Sequence, residues 1–526
     1  MKRLTIRVMV ILAGVFGAAF ASAELTDLTQ TPNAVNEGIV KSLDEQIGAG
    51  RGDVKAPGSS LYIIARDPFR SIRRGRQLFQ RKFTLAQGLG PRVDDGIGND
   101  IHERPALGAG LADSCAACHG RPRGAAGAGG DVFTRPDSRD APHLFGLGLQ
   151  EMLGDEMTAD LRLLRSQALE AAAHQQRDVG VSLVTKGVRF GRLVARSDGT
   201  LDTSDVRGVD ADLRVKPFFA HGGAFSIRQF VVGAFNDEMG LQAVDPDLAA
   251  AADGGRVVTP SGLVLDGRLD RLSAPPAFDA SDDRDNDGVT NEIDVALVDH
   301  MEFYLLNYFK PATYQTTPIT EIGRRAMQQF GCTDCHRPSL VIASDRRVAD
   351  VETTYDSTRG IFNNLYATAV PLFHEVADDA ALPALREPVG ARFVVENFYA
   401  DLKRHDLGPN FWERNFDGSL RREFVTEPLW GAGTTGPYGH DGRSINLNEV
   451  ILRHGGEALR ARNLYASSNV ALQMSVRAFL ESLVIFPPDD TASNLNPGDR
   501  SAPNFPQRGH GNIRLPALFL DPTELE

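Results

Sequence analysis

Cysteine is scarce in this chain of 526 residues, which has only four cysteines and two tryptophans. All four cysteines fall within two short motifs, so neither a disulfide-rich scaffold nor any disulfide is expected. An excess of positive charge is also lacking: Asp and Glu number 69 against 56 Lys and Arg, and the formal net charge is −13. Such an acidic chain is not expected to bind nucleic acid or an anionic membrane surface.

An apolar run of transmembrane length is missing from the sequence, although the N-terminus has a shorter one. Lys2, Arg3 and Arg7 precede the apolar residues 8–20, and Ala21-Ser22-Ala23 forms a small-residue cleavage site. The apolar run is too short to span a bilayer comfortably. We therefore expect a cleaved signal peptide over residues 1–23 and a periplasmic protein with no stable membrane insertion.

The four cysteines occur in a duplicated Cys-x-x-Cys-His pattern, at Cys115-Ala116-Ala117-Cys118-His119 and at Cys332-Thr333-Asp334-Cys335-His336. In this pattern two thiols add across the vinyl groups of a c-type haem, and the following histidine becomes the proximal iron ligand. A zinc site would use the same thiolates, but it gives no reason for a histidine directly after each pair. The sequence predicts two covalently bound haem c groups, with His119 and His336 on the irons.

Each motif follows a segment with helical character, residues 72–83 and 321–330, and the spacing Gly75…Phe79 recurs as Gly323…Met327. A helix that leads into Cys-x-x-Cys-His is how a cytochrome c unit begins. We therefore predict a mainly α-helical protein with two cytochrome c-like haem domains, long loops and a small β-hairpin insertion at residues 181–196, where apolar residues alternate. Residues 341–394 are expected to be mostly irregular.

A stretch rich in Gly, Pro and Asp, residues 241–280, is the expected domain boundary. The predicted organisation is a signal peptide (1–23), an N-terminal haem domain with the catalytic haem (24–275), a C-terminal haem domain (276–485) and a surface tail (486–526).

The C-terminal domain is expected to start with a calcium-binding loop. Residues 283–294 follow the EF-hand pattern, with ligand oxygens from Asp283, Asp285, Asp287, Val289 through its backbone carbonyl, and Asp294. Gly288 stands at the turn position, and an Asp in place of the usual final Glu reaches less far. The alternative is an acidic surface loop. As a calcium site, its role would be structural.

Further runs in the chain resemble a known family. They are Ala234-Phe235-Asn236-Asp237-Glu238-Met239-Gly240, Asp401…His405-Asp406-Leu407-Gly408, Pro428-Leu429-Trp430-Gly431, Tyr438 to Arg443 and His454 to Ala458. With the haem motifs, these runs resemble the bacterial di-haem cytochrome c peroxidase superfamily, and more closely its di-haem oxidoreductase branch, sometimes labelled thiol oxidoreductase. The resemblance covers most of residues 70–485.

The resemblance implies roles for several residues. The position of His454 is that of the distal ligand of the C-terminal haem, which is usually Met; His336 and His454 together imply bis-His ligation and a lower potential. Glu238 matches the glutamate that acts as acid and base on peroxide at the N-terminal haem. Gln229 is a weaker candidate for the same distal pocket.

The distal ligand of the N-terminal haem is left open, because no histidine lies between His119 and His143, where resting peroxidases often have one. An open or water-bound iron is one alternative; ligation by His143, Met152, Met157 or His221 is the other. The tryptophan that bridges the haems in peroxidases has no evident counterpart, although Trp430 could serve; Trp412 is the second tryptophan.

The expected function is that of a periplasmic di-haem oxidoreductase of the peroxidase type. It would reduce H2O2, or use H2O2 or O2 to oxidise a substrate, at the N-terminal haem, and the C-terminal haem would relay electrons. A small cytochrome c or cupredoxin could be the electron donor. The alternatives are a non-catalytic di-haem electron-transfer cytochrome and a di-haem oxygenase, since the rubber-cleaving di-haem oxygenases resemble the chain distantly.

Overall fold

The computed structural model describes residues 43–90, 113–119, 140–275, 281–283, 288–307, 313–314, 316–355, 365–415, 418–433 and 435–484. The predicted signal peptide and the predicted tail lie outside the described residues, as do Asp285 and Asp287 of the calcium loop. Within the described ranges, none of the helices has the length and apolar character that crossing a membrane requires.

The α-helices of the described residues differ widely in length, from one turn to eight. They are α1 (Leu43–Ile47), α2 (Ser60–Arg66), α3 (Pro68–Gln80), α4 (Cys115–His119), α5 (Leu147–Gln175), α6 (Ile227–Met239), α7 (Pro246–Ala252), α8 (Val295–Asn307), α9 (Pro318–Phe330), α10 (Leu447–Arg453), α11 (Leu459–Ser467) and α12 (Val470–Glu481). Short 3₁₀ turns occupy Leu85–Gln87, Cys332–Asp334 and Gly456–Ala458.

The strands are short and form small antiparallel sheets. They are β1 (Val179–Thr185), β2 (Val188–Ala195), β3 (Leu201–Asp202), β4 (Arg256–Val258), β5 (Val264–Asp266), β6 (Thr313–Tyr314), β7 (Ser339–Ile342), β8 (Ala349–Tyr355), β9 (Leu365–Pro371), β10 (Phe373–Val376), β11 (Leu385–Pro388), β12 (Phe393–Glu396), β13 (Arg404–Asp406), β14 (Glu413–Arg414), β15 (Leu420–Arg421), β16 (Glu423–Val425) and β17 (Leu483–Val484). The order β1-β2-β3 makes the one sheet of three strands among the described residues; the other strands pair in twos.

The expectation of a mainly α-helical protein needs correction, because the fold is mixed, with 39% helix and 17% strand. The predicted hairpin is confirmed: Val179 of β1 lies opposite Ala195 of β2, and β3 adds a third strand. The expectation that residues 341–394 are mostly irregular was wrong. Strands β8 and β9 are rich in Thr, Val and Tyr, which favour strands, and β7 pairs with the distant β12.

The helix that leads into each haem motif packs closely against a later helix. In α3, a Cβ atom added at Gly75 would lie 2.3 Å from the carbonyl oxygen of His300 in α8. In α9, a Cβ atom added at Gly323 would lie 1.9 Å from the carbonyl oxygen of Ser475 in α12. The repeated glycine spacing in the sequence therefore marks two equivalent helix crossings where only glycine fits.

Two apolar cores accompany these crossings. The larger contains α3, α5, α6 and α8, and it extends to Trp430. The smaller lies around α9 and α12, with Tyr399 and Tyr465 among its buried residues. Helix α8 lies after the predicted domain boundary at residues 275–276, yet it packs on α3 of the predicted N-terminal domain. The domain boundary stays a prediction.

Arg228, in the first turn of α6, is fully buried and joins several segments through ion pairs. Its guanidinium nitrogens lie 2.7 Å from Asp245, 3.0 Å from Asp299 and 2.8 Å from Glu302. The half-buried Arg51 adds a second cation, 2.7 Å from Asp299. Although burial alone would raise it, these arginines lower the pKa of Asp299. The cluster fixes α6 against α8.

Replacement of Arg228 by Ala should lower the free energy of unfolding by about 3–5 kcal/mol, because buried carboxylates would lose their counter-charge. Chemical denaturation of the holoprotein measures the change. Arg207→Ala is the matched control: Arg207 pairs with Asp205 at the exposed surface, and its loss should cost less than about 1 kcal/mol. Equal losses in the two variants would show that the cluster is not a stabilising centre.

Candidate haem centres

The first haem motif forms α4, a short helix in which Cys115, Cys118 and His119 share one face, as residues i, i+3 and i+4 do. The His119 imidazole is held from behind by Pro142, whose carbonyl oxygen lies 2.6 Å from Nδ1. A hydrogen bond donated by Nδ1 fixes the proton there and leaves Nε2 as the nitrogen that can bind iron.

The second motif has the same arrangement. Helix α9 ends at Gly331, which adopts the left-handed conformation with φ 85°, and the chain turns directly into Cys332. The imidazole Nδ1 of His336 lies 2.9 Å from the carbonyl oxygen of Tyr399. His336 is therefore oriented as His119 is, with Nε2 left for a metal.

His454 follows the last residue of α10 and also has a backbone partner at Nδ1, the Val450 carbonyl oxygen at 2.7 Å. The ring of Phe411 contacts its imidazole edge-on, with ring centres 5.3 Å apart. Among the described residues, Nε2 of His119, His336 and His454 has no hydrogen-bond partner. These three histidines thus share the geometry of imidazoles prepared to bind a metal.

The protonation states fit the same role. Burial lowers the pKa of His119 and of His336, and it lowers the pKa of His454 to about 4, so all three are neutral near pH 7, as metal ligands must be. Burial also raises the pKa of Cys115 to about 12 and of Cys332 to about 11. Thiols with such raised pKa values do not form a low-pKa redox pair.

Both motifs and His454 line one large cavity of about 1010 Å³. Much of the remaining wall is apolar and comes from both cores, including Phe79, Phe218, Phe235, Phe330, Leu429 and Leu480. A large, mostly apolar cavity with neutral imidazoles and thiols at its wall is the environment that a haem group requires. The residues present therefore fit two haem groups.

Glu238 lies in the wall of this cavity, at the C-terminal end of α6, and is half-buried. Helix α6 stops one residue later because Gly240 takes the left-handed conformation, with φ 67°. Gln229 lies at the other end of α6 and does not line the cavity as described. Its backbone N–H donates to the Ser226 side chain, which caps the helix. The structure therefore brings Glu238, but not Gln229, to the cavity with His119.

Of the four candidate ligands of the first haem, the two methionines belong to the core. Met152 is 2% exposed and Met157 fully buried, and neither lines the cavity as described. The Sδ atom of Met152 accepts a hydrogen bond from the Arg346 backbone at 3.1 Å.

The two histidine candidates both line the cavity. His143 follows Pro142, and among the described residues its Nδ1 has no hydrogen-bond partner. Its Nε2 lies 3.2 Å from the Trp430 carbonyl oxygen. His221 stands in a tight turn, where its ring stacks on Phe219.

Trp430 is fully buried behind the cavity wall, with its ring edge-on to Phe398 at 5.0 Å. Through its carbonyl oxygen it touches His143 on the side of the first motif. The neighbouring Leu429 N–H donates to the Phe398 carbonyl oxygen on the side of the second motif. Trp412 is remote from this position and donates from Nε1 to Asp406.

Sequence reasoning missed Glu427, whose side chain is exposed to the cavity. The segment that carries it is fixed to the first unit, because the Val425 N–H donates to the Ala220 carbonyl oxygen at 2.8 Å. Desolvation by the protein that surrounds the cavity raises the pKa of Glu427 to about 7. Its position next to the Pro428–Gly431 run was the only signal in the sequence.

At its two described ends, the predicted calcium loop forms a turn and then the start of a helix. The Gly288 N–H donates to Asp283 at 3.1 Å, and Gly288 has φ 89°. Asp294 accepts a hydrogen bond from the Ala296 N–H at 2.8 Å, at the start of α8. Val289 is described as well, whereas Asp285 and Asp287 are not. The calcium site stays a prediction.

Residues 391–483 match the family model described as "Di-haem oxidoreductase, putative peroxidase". The matched stretch includes His454, Glu427 and Trp430, and it ends two residues after α12. The predicted resemblance to di-haem oxidoreductases is confirmed over this stretch, which lies C-terminal to both haem motifs. A di-haem family implies two haem groups, in agreement with the two motifs. No curated protein matches the chain.

The raised pKa of Glu427 gives a pH-dependent stability with a defined sign. The unfolded carboxyl titrates near 4.5 and the folded one near 7, so the folded state binds the proton more tightly. The stabilisation is complete below pH 4.5 and is lost as pH rises to 7. Glu427→Gln should remove the contribution of this carboxyl to the fall in the free energy of unfolding between pH 5 and pH 8. Denaturation of the holoprotein at the two pH values measures it. Glu423→Gln, on the exposed part of the same segment, should behave like the wild type; an unchanged loss in Glu427→Gln would contradict the assignment.

Proposed function

We propose that the chain is a periplasmic di-haem c-type oxidoreductase of the peroxidase type. The observation that carries the proposal is the meeting of both Cys-x-x-Cys-His motifs, His454 and Glu238 at one cavity. The family match to di-haem oxidoreductases supports the same class of protein. The periplasmic location follows from the signal-like N-terminus and from the attachment of c-type haem outside the bacterial cytoplasm.

The two units differ in what they offer to an iron. In the C-terminal unit, both His336 and His454 would bind it, which favours electron transfer over substrate binding. In the N-terminal unit, His119 would bind it. Haem bound there supplies an iron that exchanges electrons with H2O2 or O2. His221 and Glu238 line the cavity of this unit, and either could act on the bound substrate.

Glu238 would handle the proton of the substrate. A carboxylate in the cavity wall can accept the proton of a hydroperoxide and return it to the leaving oxygen, which assists cleavage of the O–O bond. Its place at the end of a helix fixed by the Arg228 ion pairs keeps the carboxylate in position. A small cytochrome c or cupredoxin would deliver electrons to the C-terminal unit.

Replacement of Glu238 by Gln should reduce peroxide turnover by at least about 100-fold, the usual effect of removing a general acid and base. Haem content and the low-spin signal of the C-terminal haem should stay unchanged. The measurement is steady-state H2O2 reduction, together with electron paramagnetic resonance before and after H2O2 addition. Glu170→Gln, on the exposed face of α5, is the control and should retain wild-type turnover.

The same spectra test the proposal as a whole. One high-spin signal beside one low-spin signal, with a change on H2O2 addition, is the expected result for the oxidised wild type. Two low-spin signals in the oxidised protein, together with a remaining ferric signal that does not respond to H2O2 after one-electron reduction, would instead indicate an electron-transfer cytochrome without peroxidase activity. Turnover with O2 and an organic substrate, but not with H2O2, would indicate an oxygenase.

A structural calcium ion in the loop at residues 283–294 is part of the proposal. Calcium at 100 times its dissociation constant should stabilise the native state by about 2.7 kcal/mol, and EDTA should reverse the gain. Asp283→Ala should abolish the response, whereas Asp282→Ala, just outside the ligand pattern, should keep it. Thermal unfolding with and without calcium measures this, and an equal response in both variants would contradict a site at Asp283.

A further inference from the structure

A buried histidine without an assigned role lies beside the second haem motif. His405 in β13 is 5% exposed and has a carboxylate at each ring nitrogen. Its Nε2 lies 3.0 Å from Oδ2 of Asp401, and its Nδ1 lies 2.8 Å from Oε2 of Glu457. The Sγ atom of Cys335, the second haem-attachment sulfur of this motif, is 3.9 Å from Nδ1.

The geometry determines the charge of His405. A carboxylate only accepts hydrogen bonds, and a neutral imidazole donates from only one nitrogen, so two carboxylate partners require an imidazolium. The second oxygen of each carboxylate is also an acceptor: Oδ1 of Asp401 binds the Lys403 N–H at 3.0 Å, and Oε1 of Glu457 binds the Asp406 N–H at 3.1 Å. All four carboxyl oxygens of the two acids are thus engaged, and hydrogen bonds donated to a carboxylate favour its ionised form.

The partners of His405 come from opposite sides of the C-terminal site. Asp401 lies two residues after Tyr399, whose carbonyl oxygen orients the proximal His336. Glu457 lies three residues after His454. The backbone supports the same junction, since the Gly455 N–H donates to the Leu407 carbonyl oxygen at 2.8 Å.

We propose that His405 is a positioning residue of the C-terminal haem site: as an imidazolium, it fastens the loop that carries His454 to the side that carries Cys335 and His336, and it places a fixed positive charge at that attachment point. The inference rests on the proposed di-haem function and deepens it. Hydrogen bonds to Asp401, Cys335 and Glu457 outweigh the opposing effect of burial and raise the pKa of His405 to about 11. The hydrogen bond from His405 likewise lowers the pKa of Glu457 to about 2.

A metal ion held by Cys335, Asp401 and His405 is the competing interpretation, because their ligand atoms lie within 4.8 Å of one another. A metal would need a deprotonated nitrogen on His405 and a free thiolate on Cys335. The ring nitrogens of His405 both face carboxylates, and haem attachment converts the Cys335 thiol to a thioether. The positioning role therefore fits these residues better.

Loss of the positive charge and loss of a neighbouring negative charge should shift the reduction potential of the C-terminal haem in opposite directions. A positive charge near a haem favours its reduced state, and a negative charge favours its oxidised state. In His405→Gln the reduction potential of the C-terminal haem should shift downward, because the imidazolium is lost. In Glu457→Gln it should shift upward, because a carboxylate is lost and the imidazolium remains. Redox titration of the holoprotein, followed through the low-spin resonance signal of this haem, measures both shifts.

The matched control is His374→Gln, because His374 faces Glu387 across an exposed strand pair at 3.8 Å. It should leave the potential unchanged. The low-spin signal should broaden in His405→Gln, as the His454 loop loses its attachment, and should stay sharp in the control. Wild-type potential in both cluster variants, or shifts of the same sign, would overturn the proposal. If His405→Gln fails to fold, an unshifted potential in Glu457→Gln overturns it alone.

Failure of the proposed role of His405 can be distinguished from failure of the proposed di-haem function. Absence of a bis-His low-spin signal from the wild type would remove the di-haem assignment before any variant is made. A normal wild-type signal with unshifted variants would remove only the role of His405. Metal analysis of the wild type should find iron without a stoichiometric second transition metal; zinc or copper that depends on His405 would favour the competing site.

Discussion

The buried ion pairs of Arg228 are the constraint on which the placement of the candidate active site depends. They fix the first turn of α6 against α8, and the Glu151 carboxylate supports the same turn by accepting the Ile227 N–H at 2.6 Å. A helix is stiff, so Glu238, ten residues further along α6 and thus about 15 Å away, is positioned by contacts that lie outside the cavity. Helix α3 also packs closely against α8 at Gly75. Helix α8 therefore positions both α3, which leads into the first motif, and α6, which carries the proposed acid.

Such a cluster is better suited to specifying geometry than to adding stability, because desolvation of buried charges offsets much of their attraction. Two arginines face four carboxylates here, and burial raises the pKa of Glu302, which shifts this carboxyl toward its neutral form. The Thr259 hydroxyl donates to Glu302 at 2.9 Å, so the acid that departs most from the charged state still has partners. The ion pairs of Arg228 thus connect α6, α8 and the segment that carries Asp245 in a defined arrangement.

The parts of the site that the sequence predicted are those with local spacing. The two haem motifs, the glycine spacing before them and the histidine after α10 each depend on residues within a few positions, and the structure places both motifs and His454 at one cavity. Arg228 depends on Glu302, 74 residues away in the chain, and His405 depends on Glu457, 52 residues away. His405 and Glu427 lie in or beside runs that resemble the family, but those runs do not show which side chains they face. The same reason explains the fold: helices and the hairpin at residues 181–196 were predictable from periodicity, whereas β7 and β12 pair over a long loop.

The two units orient the histidine of the haem motif in the same way but differ in the groups around it. Each proximal histidine is oriented by a backbone carbonyl, so iron affinity need not differ between them. The difference lies in the groups around the rest of each site. The C-terminal unit has a second carbonyl-oriented histidine, His454, and closes the loop behind it with an imidazolium between two carboxylates. In the N-terminal unit the second carbonyl-oriented histidine of the cavity wall is His143, which is held through Nε2 rather than Nδ1. This unit also has Glu238 in its wall, with Glu427 on the segment shared by both units. Rigid double ligation with fixed charge suits storage of an electron, and a carboxylate at an accessible position suits proton transfer to a substrate. The proposed division between electron relay and substrate chemistry rests on these side chains, since the haem-attachment motifs are the same in both units.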